Sequence, residues 1–193
     1  MKLNHYISFT DKQEYIFLQQ ALTQKSMHLI GAAALIHAIT TQQSLALVPL
    51  ILLFAAALTI DAKHMILPDI LTIPALILGL IVAPISFSAS LIGAATGLIL
   101  FAALEITMTR TLGRPALGWG DVKLLAAIGA WGGILALPLT LLMASVAAIH
   151  FILYRRLKHK IKNDPFPFGP FLIVGGWLAI THGTQIWAFL SHS

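Results

Sequence analysis

Seven of the 193 residues are acidic. Asp11 and Glu14 stand in a polar leader and Asp164 in a basic loop, settings where solvated charges are ordinary. The other four, Asp61, Asp69, Glu105 and Asp121, stand within or at the edge of apolar segments. An ionisable group there is costly, and a function is the default reading. Asp61 closes the run LILLFAAALTID, and Asp121 stands in GWGDVK. Two carboxylates at one depth on packed helices share a proton, because like charges close together do not both ionise freely. One then takes a proton from water while the other polarises a carbonyl, which is the chemistry of aspartic peptide hydrolysis. Asp121 stands at a helix N-terminus, where the macrodipole favours the anion. Asp61 stands at a helix C-terminus, where it favours the acid.

The neighbours of these two residues have their own readings. Gly118 and Gly120 remove side chains just before Asp121, so a substrate strand can come close to the backbone. Lys123 either neutralises or orients a carboxylate, or reaches toward lipid headgroups. Taken alone, Asp121 also reads as an ordinary helix cap. Asp69 follows Pro68 and reads as the cap of the next segment. Glu105 lies about a turn and a half from Arg110; it reads as paired with a neighbouring helix or held neutral, with no assigned role. His64 reads as a headgroup-facing group, and His28, His37, His150 and His182 as packing or interfacial residues. There is no cysteine, which excludes disulfides, thiolate metal sites and a cysteine nucleophile. With no cluster at ligand spacing, neither metal nor cofactor is expected.

The elements that must carry these residues are greasy. The chain is 58% hydrophobic and only 10% charged, with a mean hydropathy of +0.88. A soluble domain is about a quarter charged. The expected fold is all-α, a polytopic membrane bundle of six to seven spans. Seven apolar segments stand at roughly 27–40, 44–60, 70–86, 89–109, 120–132, 134–154 and 169–190. The connections near 41–44, 86–89 and 132–134 hold no Lys or Arg, whereas Lys25, Lys63, Arg110, Arg114, Lys123 and YRRLKHKIK at 154–162 fall on the alternate side. By the positive-inside rule the N-terminus is cytoplasmic, and Asp61 and Asp121 share the cytoplasmic level. The net charge of +5 is thus explained by topology and lipid headgroups rather than by nucleic acid. Residues 1–25 read as a cytoplasmic or membrane-surface leader, with Ile16, Phe17, Leu18 and Leu22 facing lipid if it is a surface helix; 26–193 form the membrane domain. The fifth segment, about 13 residues long, is short for a span of about 30 Å. It reads as a half-crossing, or as a helix beginning as early as Pro115.

Three blocks resemble the type IV prepilin leader peptidases, membrane aspartic proteases of the GxGD kind. They are IDAKHMILPDILTIPALILGL at 60–80, LGWGDVKLLAAIGAWGG at 117–133, and FPFGPFLIVGGW at 166–177. The resemblance implies catalytic roles for Asp61 and Asp121. It also places Pro68, Asp69, Gly118, Gly120, Lys123, Gly169 and Pro170 around them as supporting or substrate-binding residues. It implies as substrate the basic leader of a prepilin or pseudopilin, cut at the cytoplasmic face of the inner membrane, usually after a glycine. FPFGPF reads as a substrate wall or as a helix-start device. Two departures stand out. The cysteine-bearing insertion of many members is absent, so a peptidase without methyl transfer is expected. Pro115 stands where the family commonly has an acid. The rivals are another GxGD intramembrane protease, a non-catalytic paralogue assisting pilus or secretion assembly, and a proton-coupled transporter. Ile60, where the other proteases tend to carry tyrosine, counts against the first; the presence of both aspartates counts against the second. The absence of an inverted repeat counts against the third.

Overall fold

The computed structural model describes residues 45–113, 118–159 and 167–192. The expected leader, the segment 27–40, Pro115 and most of the basic run after Arg156 lie outside the described residues. Those described form six α-helices and no strand: α1 (Val48–His64), α2 (Asp69–Val82), α3 (Phe87–Leu112), α4 (Trp119–Gly132), α5 (Ala136–His159) and α6 (Gly169–His192), with a 3-10 turn at Leu45–Leu47 before them. Each coincides with one of the last six apolar segments read from the sequence.

The helix ends follow from local chemistry. Ser86 caps α3, its Oγ accepting from the Ala89 N–H at 3.3 Å. Gly113 ends that helix at φ +66°, its N–H returning to the Thr109 carbonyl at 3.0 Å, a left-handed stop that glycine adopts without steric cost. Pro68 is extended and stands just ahead of α2, as prolines often do, because the residue after it can still begin a helix. At α6 the Phe168 carbonyl accepts from Phe171 and Leu172, and Pro170 is the second helical residue, where a missing N–H costs nothing.

Helix α4 is the centre of the molecule. Val122 and every residue from Leu124 to Trp131 are buried, and α4 packs against α2, α3, α5 and α6. Its 14 residues rise about 21 Å, less than a hydrocarbon core. Surrounded by protein, it has no need to cross lipid alone. Gly118 is extended before it, so the helix begins at Trp119 and not upstream.

The outer helices turn apolar side chains outward. Ile70, Ile73, Ile77 and Ile81 are exposed along one face of α2, and Leu142, Val146, Ile149, Leu153 and Leu157 along one face of α5. Spacings of three and four make each a continuous helical stripe. In water such stripes are unfavourable; against lipid tails they are neutral or better. Among the described helices, Phe87–Thr111 and Ala136–Leu157 are long and apolar enough to cross a bilayer by themselves. The protein is a helical membrane protein.

Close packing inside the bundle comes from small residues. A side chain at Gly93 of α3 would collide with the Gly129 backbone of α4, and one at Gly129 with Gly93. Gly97, four residues on, meets Leu125 and Ala126. This is a small-xxx-small contact of the kind that draws membrane helices together. At the end of the bundle away from Asp121, Ser90 Oγ donates to both Gly79 O (3.0 Å) and Ala130 O (2.6 Å), and Trp131 Nε1 donates to Ala75 O at 2.8 Å. These bonds tie α2, α3 and α4 together.

Candidate active site

Asp61 lies in the last turn of α1. The helix runs on to His64 and ends where Met65 takes a left-handed conformation (φ 54°), its N–H bonding the Asp61 carbonyl at 2.7 Å. The Asp61 side chain is 5% exposed. Its Oδ2 is buried with no hydrogen-bond partner among the described residues, a costly state for a polar atom unless a ligand or water completes it. The Gly169 N–H faces this carboxyl, and a side chain at Gly169 would collide with it. Glycine is therefore required there for the close approach.

Asp121 is the third residue of α4, not its cap; Gly118 holds the cap position and offers no side chain. The Asp121 carboxyl curls back toward Gly118, whose N–H it accepts. This is the reciprocal half of a capping box, so the ordinary capping reading and a site role coexist in one residue. Asp61 and Asp121 stand within electrostatic reach of one another.

Leu67 joins the blocks. A side chain at Gly120 would meet Leu67 Cβ at 2.7 Å and its carbonyl at 3.1 Å, and one at Gly169 would meet Leu67 Cδ1 at 3.0 Å. The connection 65–68 thus lies between the first turns of α4 and α6. The sequence reading missed Leu67, because nothing in the run ILPD marks which residue turns inward. Lys123 and Asp69 settle differently from their readings. Asp69 is the first residue of α2 and makes no cap bond; its Oδ1 accepts from Lys123 Nζ at 2.6 Å. The cap reading is corrected by that ion pair, and of the two readings of Lys123 the carboxylate one holds, with Asp69 as the carboxylate. FPFGPF serves as a helix start, and its glycine also walls the Asp61 carboxyl. Glu105 is 3% exposed and accepts from Thr109 Oγ1 at 2.8 Å, one turn on. No group of three or more His, Cys, Asp or Glu that could hold a metal occurs among the described residues.

The end of α1 and the first turns of α4 and α6 thus meet at one end of the bundle, beside the two carboxylates. The fold and site define a class, a helical membrane protein with two carboxylates within electrostatic reach of each other at one end. Residues 46–153 match the type IV leader peptidase family, and the chain belongs to that family. It is similar to the prepilin leader peptidase/N-methyltransferase of Pseudomonas aeruginosa, 42% identical over 132 residues, 66% of this chain and 46% of that protein. The Stutzerimonas stutzeri protein of the same name is 40% identical over 134 residues, 67% of this chain and 46% of that one. That of Pseudomonas putida is 36% identical over 151 residues, 76% and 52%. The chain spans about half the length of the curated relatives it matches. No solved structure matches it.

Proposed function

We propose that this protein is a multi-pass aspartic endopeptidase of the inner membrane that removes the basic leader of type IV prepilins or pseudopilins at the cytoplasmic face. The observation that carries the proposal is the convergence of Asp61 and Asp121 beside Gly120 and Gly169. In the reaction, the ionised member of the pair takes a proton from water. The resulting hydroxide attacks the scissile carbonyl, which the protonated member polarises. The proton then passes to the leaving amine as the C–N bond breaks. The unpartnered Asp61 Oδ2 is a free acceptor for that water or for the tetrahedral intermediate's hydroxyl. Gly118, where an added side chain would meet only the Asp121 carboxyl, leaves backbone bare for an extended leader; Gly120 and Gly169 instead admit Leu67 and the Asp61 carboxyl, which corrects the reading of Gly120 as open backbone, and Pro68 and Pro170 stiffen the two approaches. Family membership and the relatives' printed names support the substrate; the alternation of basic loops supports the cytoplasmic side. Methyl transfer is not part of the proposal.

The test is cleavage of a panel of prepilins by purified protein in detergent or lipid, alongside Asp61→Asn and Asp121→Asn. These variants keep shape and remove the acid. The expected result is cleavage by the wild type and loss of at least about a thousandfold in each variant, with folding kept. Cleavage that survives either change overturns the aspartate mechanism. A folded wild type that cuts no prepilin overturns the function and leaves the non-catalytic paralogue.

A further inference from the structure

Between Asp61 and the start of α2 the chain makes a sequence of fixed contacts. The Met65 N–H bonds the Asp61 carbonyl. Leu67 presses on Gly120, the residue before Asp121, and on Gly169. Asp69 then bonds Lys123, two residues after Asp121, at 2.6 Å. The nine residues from Asp61 to Asp69 thus meet the first turn of α4 on both sides of Asp121, once by packing and once by charge. In sequence the two ionic partners lie 54 positions apart, so this contact is a product of the tertiary fold alone.

We infer that Asp69 and Lys123 form a positioning clamp that holds the first turn of α4, and with it Asp121, at a fixed spacing from Asp61. The inference rests on the proposed role of the two aspartates. The pair touches neither carboxyl; it acts through the helix turn that carries one of them. At 35% and 57% side-chain exposure its contribution to global stability is small, since exposed ion pairs contribute little. Its effect on a reaction is a different matter, because a proton-sharing pair tolerates little change in separation, and a displacement of about 1 Å can cost as much as a hundredfold in rate. Leu67 meets the turn at Gly120, before Asp121, and the ion pair holds it at Lys123, after Asp121.

The experiment has two arms. The first measures prepilin cleavage by wild type, Asp69→Asn, Lys123→Met, the double variant and the conservative changes Asp69→Glu and Lys123→Arg. The expected result is a fall in kcat of about fivefold or more in each neutralised single, with KM within about twofold. The double variant loses no more than the worse single, as two partners of one contact should, and the conservative changes recover most of the rate. Unchanged singles, losses that multiply in the double, or a change confined to KM overturn the inference. The second arm needs no activity. The chain is free of cysteine, so spin labels at His64→Cys and Trp119→Cys, both exposed, report the distance between the ends of α1 and α4. One narrow distribution is expected in the parent and a broadened one when either Asp69→Asn or Lys123→Met is added. An unchanged distribution overturns the clamp even if the rate falls. If the parent enzyme cuts nothing, the proposed function fails by itself, and this second arm still decides the clamp.

Discussion

At the scale of single residues, the site depends on what is missing as much as on what is present. Gly169 has no side chain because the Asp61 carboxyl occupies that space. Gly169→Ala should therefore abolish cleavage while the bundle survives, at a cost of about 1–3 kcal/mol as in other overpacked sites. Thermal unfolding in detergent beside the cleavage assay separates the two effects, and full activity in this variant would mean that Asp61 has room to move. A pair that shares one proton also has a characteristic dependence on pH. It works only while singly protonated, so the cleavage rate should fall on both the acid and the alkaline side. A profile with one limb would point to a single working carboxyl.

At the scale of elements, α4 explains how a short helix comes to hold half of the site. It is too short to cross lipid and too buried to need to. Its position comes from backbone-to-backbone packing at Gly93 and Gly129, and from the Ser90 and Trp131 bonds at the far end. Gly129→Leu should drive α3 and α4 apart and lower stability by more than about 2 kcal/mol. Ser90→Ala removes a hydroxyl that joins three helices and should cost about 0.6–2 kcal/mol. Both are measured by thermal unfolding in detergent. If Gly129→Leu left the melting temperature unchanged, the helices would not be in backbone contact.

At the scale of the whole molecule, the ends of the bundle differ in charge. The end of α1 and the starts of α2, α4 and α6 lie at the carboxylate end, while 82–87 and 132–136 lie at the other. Basic residues resist transfer across the bilayer, so the proposed function expects the carboxylate end to face the cytoplasm. Single cysteines at Arg156→Cys and Leu135→Cys, both exposed, should react with a membrane-impermeant maleimide from opposite faces of inverted and right-side-out vesicles. Labelling of both from one face would overturn the topology.

The sequence by itself determined a great deal here. Lipid imposes long apolar runs with charged ends, so six helices were legible in number and order, with ends misplaced by up to five residues (134–154 read, Ala136–His159 found), as was the short length of α4. The motif spacing around Asp61 and Asp121 marked them as a pair because ionisable groups are rare in such a chain. Contacts between distant segments were not legible. Nothing local distinguishes Leu67 from its neighbours, and Asp69 after Pro68 has the same appearance whether it caps a helix or binds Lys123. Gly93 and Gly97 stand four apart in the sequence, but nothing local names the helix they will meet. Side-chain pairing depends on which helix faces meet and at what register. A one-dimensional pattern of apolar and polar residues specifies which face is buried, whereas only the packed bundle decides what that face touches.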